Sequence, residues 1–156
     1  PEPLIQKEFS RIMSLKDGSK KMSKSELSDL SRINLTDSKD EIVNKIKKAK
    51  TDPLPMPKTL KELDERIEAK NLIRIYSSLT SSNLEKTVDN YAGKNFSEFK
   101  EKLSEVLIDK IEPISIEIKK LLDDQSYLNN ILIDGAEKAS LIAVKKIKKI
   151  KEIVGF

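Results

Sequence analysis

Three lysines and three serines surround a glycine turn near the start of the chain, in the stretch Asp17–Ser25, which reads DGSKKMSKS. Lysine ammonium groups neutralise the charge that develops on a departing pyrophosphate, and serine hydroxyls and free backbone N–H groups bind the same oxygens. The stretch is not a Walker P-loop, because that motif needs a second glycine before its lysine. We call Asp17–Ser25 the phosphate loop and expect it to carry nucleotide chemistry, although composition alone would equally fit a solvated surface turn.

The segments around this loop have readable local patterns. The short apolar run from Phe9 to Leu15 predicts a strand that enters the turn at Asp17. Beyond the loop, Thr36 or Asp37 is expected to cap a helix, because apolar residues then recur at helical spacing. The apolar face of that helix holds Ile42, Val43, Ile46 and Ala49, and the lysines expected mostly outward are Lys45, Lys47, Lys48 and Lys50.

Three prolines within Pro53–Pro57 predict an extended connector and a domain boundary nearby. From Glu68 onward the apolar period is helical. We predict one helix ending near residues 81–83, a short one over residues 84–90, a long one after Asn95 with a kink at Pro113, and a last one starting at Ser126. About five helices after one strand indicate a mainly α protein, in which a helical bundle follows the end of another domain.

Composition narrows the chemistry. The chain has neither Cys nor His, which excludes disulfides, thiol catalysis, histidine bases and the usual zinc ligands. Residues 1–50 hold 12 basic and 8 acidic side chains, so the whole net charge of +4 lies around the phosphate loop. Residues 138–156 contain six lysines and only one glutamate, so the C-terminal end of the chain is also basic. Two basic ends suit an anionic partner. No apolar run reaches the ~18 residues of a membrane span, and we expect a soluble, cytoplasmic protein.

Lys21, Met22, Ser23, Lys24 and Ser25 form a KMSKS sequence, the signature of class I aminoacyl-tRNA synthetases. The flanking segments RIMSL (residues 11–15), SDLSRINL (28–35) and KIKKAKTD (45–52) resemble the bacterial tryptophanyl type of that family. Weaker matches lie at residues 135–139 and 153–156, where that family ends. The resemblance covers nearly the whole chain and is strongest in its first third.

This resemblance implies roles for individual residues. Lys21 and Lys24 would be catalytic, stabilising the pyrophosphate that leaves when the amino acid attacks ATP, and Gly18 would be a hinge. Ile12 would place its backbone against the adenine ring, although a plain core position is about as good an explanation for it. The ATP-binding set is Ile12, Lys21, Met22, Ser23, Lys24 and Ser25. No resident metal is expected beyond the Mg²⁺ that accompanies ATP.

The resemblance also implies an organisation. Residues 1–52 would end the catalytic domain, 53–66 would connect, and 67–156 would form the helical anticodon-binding domain. Starting at Pro without an initiating Met, the chain is expected to be a C-terminal fragment, inactive by itself. Its full-length parent would be a homodimeric ligase that uses ATP, L-tryptophan and tRNA(Trp).

Two alternatives remain open. One is a fragment of a tyrosyl-tRNA synthetase, which the segment from Arg32 to Asp52 disfavours. The other is a noncatalytic helical module that binds nucleic acid through its basic ends. Arg32 and the lysines at positions 45, 47, 48 and 50 could steer the tRNA acceptor arm or the phosphates of ATP, and the lysines near the C-terminus could contact the tRNA backbone. Either set could instead be a solvated helix face.

Overall fold

The computed structural model of the chain describes Glu2 and residues 10–155, and its regular elements there are helical. A 3-10 helix at Asp29–Ser31 is followed by six α-helices among the described residues: α1 (Lys39–Lys47), α2 (Leu60–Glu65), α3 (Ile67–Thr80), α4 (Leu84–Tyr91), α5 (Phe96–Asp123) and α6 (Gln125–Val154). The mainly α class is therefore confirmed. By internal contacts the chain divides between Ser115 and Ile116, inside α5. The domain boundary that the resemblance implies at the connector of residues 53–66 stays a prediction.

The strand predicted over Phe9–Leu15 is reduced, among the described residues, to one antiparallel bridge between Met13 and Lys21. Phe9 itself lies outside the described residues. Two backbone hydrogen bonds flank the bridge, from Ser14 N to Lys20 O at 2.8 Å and from Met22 N to Ile12 O at 3.0 Å. Residues 12–14 and 20–22 therefore pair as a short hairpin around the phosphate loop. We call residues 10–15 the first arm of the loop and residues 20–26 its second arm.

Helix α1 begins one residue later than expected. Its N-cap is Ser38, whose side chain accepts a hydrogen bond from Glu41 N while the Glu41 carboxylate accepts one from Ser38 N. This reciprocal capping box satisfies two amides that the first turn would otherwise leave free. The expectation that Thr36 or Asp37 caps the helix is wrong, because the Asp37 carboxylate is buried and binds Lys45 instead.

The core of the first unit forms where α3, α4 and α5 meet. Phe99 on α5 is fully buried and packs its ring against Tyr76 of α3 and Tyr91 of α4, with ring centroids 5.6 and 4.9 Å away. Aliphatic side chains complete this core, among them Leu15, Ile42, Ile46, Met56, Leu63, Leu72, Ile73 and Leu103. Because Leu15 and Met56 belong to it, the loop's first arm and the proline-rich connector are both packed into the helical core.

The remaining helices differ from expectation in detail. Helix α2 was not predicted, since it has only six residues and an almost entirely polar sequence. Helix α5 continues through Pro113 to Asp123. Helix α6 begins at Gln125, one residue before the expected start at Ser126, and its N-cap is Asp124. It contains no buried residue. None of the described helices is both long and apolar enough to cross a membrane.

Candidate functional site

The turn of the phosphate loop is organised by the side chain of Asp17. Its Oδ1 accepts hydrogen bonds from Ser19 N at 3.0 Å and Ser19 Oγ at 2.6 Å. Its Oδ2 lies 3.4 Å from Lys20 Nζ. These bonds, led by that from the Ser19 hydroxyl, lower the pKa of Asp17 below its ordinary value. Asp17 therefore shapes the turn and partly neutralises Lys20.

Gly18 is buried against the start of α3. A Cβ at this position would lie 3.1 Å from the backbone carbon of Ile67 and 3.2 Å from Glu68 N. Its backbone is not among the described glycines with positive φ, which are Gly93 and Gly155. The glycine is thus required by a close backbone approach, which is a different reason from the hinge implied by the resemblance.

Lys21 and Lys24 are exposed like Lys20, but they lack its ion pair with Asp17. Among the described residues, no carboxylate lies within ion-pair distance of either ammonium group. Beside them the hydroxyls of Ser23 and Ser25 are 2.8 Å apart, and Ser25 N donates to Ser23 Oγ at 3.3 Å. The loop therefore presents two uncompensated positive charges next to a pair of hydroxyl groups.

These side chains border an open groove of about 620 Å³. One wall contains five of the predicted ATP-binding residues, which are Ile12, Lys21, Met22, Ser23 and Lys24. The sixth, Ser25, does not line the groove but is bonded to Ser23. Residues 32–36 line the same groove. The structure thus brings the sequence-predicted residues together at one groove, where Lys21 and Lys24 have no carboxylate partner among the described residues.

A polar network around the buried Lys45, which we call the acid–lysine cluster, is made of Asp29, Asn34, Asp37 and Lys45. Lys45 and Asp37 are buried, whereas Asp29 is exposed. Lys45, whose side chain is only 3% exposed, donates to Asp29 Oδ2 at 2.5 Å and to Asp37 Oδ2 at 2.7 Å. Asn34 donates from its side chain to both carboxylates, at 3.0 and 3.1 Å. The expectation that Lys45 points outward is wrong, and this lysine is not available to a phosphate.

The charges in this cluster stabilise one another. Burial by itself lowers the pKa of Lys45, but the hydrogen bonds to Asp29 and Asp37 outweigh it and leave that pKa raised. The same Lys45 bond, followed by that from Asn34, lowers the pKa of Asp29. Lys45 and Asp29 are therefore both held in their charged forms.

Arg32 joins the cluster to the end of the phosphate loop. Its guanidinium donates to the backbone carbonyl of Glu26 at 2.9 Å and to Asn34 Oδ1 at 3.2 Å, and pairs with Asp29 at 2.9 Å. Arg32 also lines the groove. The sequence left open whether it steers phosphates or is solvated; its observed bonds give it a role in holding the loop's second arm.

Two supporting residues were missed by the sequence reasoning. Asn71, buried on α3, accepts from Met13 N at 2.9 Å and donates to Met13 O at 2.8 Å. Lys100 on α5 donates to Lys47 O at 3.1 Å and Ala49 O at 2.6 Å, just where α1 ends. An asparagine directly before the apolar pair Leu72 and Ile73 of α3 was the available signal for Asn71, since asparagine is a weak helix former.

The lysines near the C-terminus form an exposed set. Among the described residues none of them pairs with a carboxylate except Lys138, which bonds Asp134 at 2.6 Å. The unpaired ones are Lys145, Lys146, Lys148, Lys149 and Lys151. In the part of the chain that the structure describes, no group of three or more acidic, His or Cys side chains is placed to hold a metal ion.

The helical fold, the KMSKS loop and its groove agree with a comparison to known families. The family described as class I tRNA synthetases (W and Y) matches residues 1–111. The chain therefore belongs to this family of class I tRNA synthetases.

The relatives it resembles carry a more specific name. The tryptophan–tRNA ligase of Caulobacter vibrioides is 47% identical over 156 residues, which are all of this chain and 45% of that protein. The tryptophan–tRNA ligase of Rickettsia felis is 49% identical over the same length, covering 47% of that protein. The chain thus spans less than half the length of these relatives.

Solved structures show the same fold. Tryptophanyl-tRNA synthetase from Mycoplasma pneumoniae has a TM-score of 0.74 at 24% identity, over 97% of this chain and 45% of that one. The enzyme from Campylobacter jejuni, in a complex with ADP and tryptophan, also has a TM-score of 0.74 at 24% identity, over all of this chain and 47% of that one.

Proposed function

We propose that this chain is the C-terminal portion of a tryptophan–tRNA ligase, which activates tryptophan with ATP and transfers it to tRNA(Trp). Within it, the phosphate loop stabilises the departing pyrophosphate. The observation that carries this proposal is the pair Lys21 and Lys24, two exposed ammonium groups without a carboxylate partner among the described residues, at the rim of a groove. The relatives from Caulobacter vibrioides and Rickettsia felis are both named tryptophan–tRNA ligase, which supports tryptophan rather than tyrosine as the amino-acid substrate.

The chemistry follows from where charge appears in the reaction. When the tryptophan carboxylate attacks the α-phosphorus of ATP, the bond to the bridging oxygen breaks and negative charge grows on the pyrophosphate. Lys21 and Lys24 neutralise that charge, and the hydroxyls of Ser23 and Ser25 donate hydrogen bonds to the same oxygens. Removing one such preorganised donor costs on the order of 10²–10³ in kcat. Mg²⁺ would accompany the nucleotide and supply further positive charge at its phosphates.

The other wall elements complete the nucleotide site. Ile12 and Met22, which share a backbone hydrogen bond of 3.0 Å, line the groove beside the lysines. We assign to Ile12 the backbone that faces the adenine ring. L-tryptophan itself would bind in the part of the ligase outside this chain, as would most of a homodimer interface.

Binding of tRNA is assigned to the second basic end. The five unpaired lysines of α6 project positive charge over about two helical turns, and lysines that face phosphates add affinity without reading sequence. We place the ligase in the cytoplasm, where its tRNA substrate is used.

The test is amino-acid-dependent exchange of pyrophosphate into ATP, measured on the complete protein with each of the twenty amino acids. We expect exchange with tryptophan only. Lys24→Ala should lower kcat by on the order of 10²–10³ while leaving the tryptophan dissociation constant unchanged, because the lysine acts on charge that develops later. The exposed Lys48→Ala serves as a matched control and should retain the wild-type rate.

Each other outcome has a clear meaning. Exchange driven by tyrosine would reassign the substrate. Equal losses of rate and of tryptophan binding in Lys24→Ala would refute the transition-state role. Absence of exchange with any amino acid would leave a nucleic-acid-binding module as the better explanation.

A further inference from the structure

We propose that Asn71 is a positioning residue for adenylate formation, fixing the first arm of the phosphate loop and, through it, Lys21. The inference rests on the proposed function and adds a residue on α3 to the machinery. Asn71 lies far from the loop in sequence, and the hydrogen bonds of its side chain among the described residues go to the first arm. It acts through the backbone of Met13, to which it makes two hydrogen bonds, and its Nδ2 also donates to Ser14 O at 3.5 Å.

The need for such a residue follows from the geometry of a paired strand. Along a strand, the backbone hydrogen-bonding groups of successive residues point to opposite sides. The C=O of Ile12 and the N–H of Ser14 point to the second arm of the loop, where Met22 N and Lys20 O pair with them. The N–H and C=O of Met13 therefore face away from that arm and need another partner.

Asn71 supplies both bonds at once. Its Oδ1 accepts from Met13 N at 2.9 Å and its Nδ2 donates to Met13 O at 2.8 Å, as a neighbouring strand would. The next residue on this side, Leu15, is treated likewise: its N–H donates to Ser31 O at 2.9 Å and its C=O accepts from Lys50 N at 2.7 Å. Among the described residues of this arm, Met13 thus relies on a single side chain for both hydrogen bonds of its outer side.

Two further contacts make helix α3 a rigid support, one with the loop itself and one with Lys50, whose N–H donates to Leu15 O of the first arm. Gly18 packs against the backbone of Ile67 and Glu68. Glu68 in turn binds Lys50 at 2.8 Å. Since Gly18, Lys50 and Met13 are all held by the first turns of α3, the helix defines where the base of the loop lies.

The consequence for catalysis passes along one bridge. Met13 pairs directly with Lys21, so a shift of Met13 moves the backbone that carries this lysine. A misplacement of about 1 Å by a change away from the reacting atoms can cost about 10²-fold in rate. Asn71 should therefore affect kcat more than binding of tryptophan, although it contacts neither substrate.

The experiment compares Asn71→Ala with Asn83→Ala in the complete ligase. Asn83 caps α4 through a 2.8 Å bond from Lys86 N and lies outside the groove, so its replacement removes an asparagine that supports a helix but not the loop. We expect Asn71→Ala to lower kcat for tryptophan-dependent pyrophosphate exchange by about tenfold or more, with an unchanged tryptophan dissociation constant. Asn83→Ala should stay within about twofold of wild type. A wild-type kcat in Asn71→Ala would overturn the inference.

A double-mutant cycle separates positioning from general destabilisation. If Asn71 acts through the loop, its removal in a Lys24→Ala background should cost much less than in the wild type, because the loop has already lost function. Losses that multiply would indicate an unrelated structural defect and overturn the inference. If Asn71→Ala does not fold by circular dichroism, Asn71→Asp, which keeps the acceptor for Met13 N, is judged by the same criteria.

Failure of the proposed function would be recognised separately. If the wild-type protein exchanges no pyrophosphate, that function is refuted, and the inference is judged by hydrogen exchange. Loss of the Asn71 bonds should speed exchange of the Ser14 and Met22 amides, which close the hairpin, relative to Asn83→Ala. Unchanged protection of these amides would mean that Asn71 does not hold the arm.

Discussion

The phosphate loop and the acid–lysine cluster contain the same kind of charge in opposite settings. Lys45 of the cluster is buried between Asp29 and Asp37, whereas Lys21 and Lys24 of the loop are exposed and lack a carboxylate partner among the described residues. A lysine whose charge is already neutralised stabilises the fold. A lysine whose charge is not neutralised can still bind an anionic ligand. This difference distinguishes the lysine that supports the fold from the two lysines of the candidate site.

The largest expected effect tests the cluster. Lys45→Ala should lower the free energy of unfolding by about 3–5 kcal/mol, because it leaves the carboxylate of Asp37, 5% exposed, buried without its cation. Urea unfolding followed by circular dichroism measures this. The exposed Lys48→Ala, on the same helix end, should change stability by less than about 0.5 kcal/mol. Equal stability of the two variants would contradict the assignment of Lys45 to the fold.

A second prediction tests how tightly the loop is joined to its support. Gly18→Ala should lower the free energy of unfolding by about 1–3 kcal/mol, because the new methyl group would crowd the backbone of Ile67 and Glu68. The neighbouring exposed Lys16→Ala is the control and should be nearly neutral. If Gly18→Ala proved fully stable but slowed pyrophosphate exchange, a hinge role would be favoured over close packing.

The smallest effect concerns acid. The pKa of Asp29 is lowered in the folded protein by Lys45 and Asn34, so its ionised form contributes stability above the unfolded pKa of about 3.9. That contribution is lost as the pH falls through the lower, folded pKa. Asp29→Asn should therefore reduce stability at pH 7 and make the decline below about pH 4 shallower. Urea unfolding between pH 2.5 and 7, in steps of about 0.5, compares it with the exposed Asp89→Asn, which should follow the wild type.

Local pattern was sufficient for most of the helices. The apolar repeats that predicted α3 and α5 contain residues that are buried in the structure, such as Ala69 and Phe99. The capping residues 81–83 predicted the short helix α4, whose N-cap is Asn83. Polar helix α2 escaped notice because its only buried residue is Leu63, which leaves no repeat to detect. The KMSKS residues were recognisable by order and spacing, and all of them but Ser25 line one groove.

Two details were missed for different reasons. Asp37 and Ser38 are both good capping residues; Asp37 forms an ion pair with Lys45 while Ser38 caps, and the spacing of Ser38 and Glu41 was the local signal for that choice. Asn71, by contrast, depends on a partner 58 residues away. A window of local sequence does not contain that contact.

The distance in sequence between the loop and its supports has a consequence for synthesis on the ribosome. The hydrogen bonds of Met13 to Asn71 and of Ala49 to Lys100 cannot form until residues 58 and 51 positions later have been synthesised. Contacts that close such long segments form late, since the chain must first lose the entropy of the intervening residues. A nascent chain therefore displays the lysines of the phosphate loop well before the loop can take its working shape, and it matures only when the helices that follow have emerged.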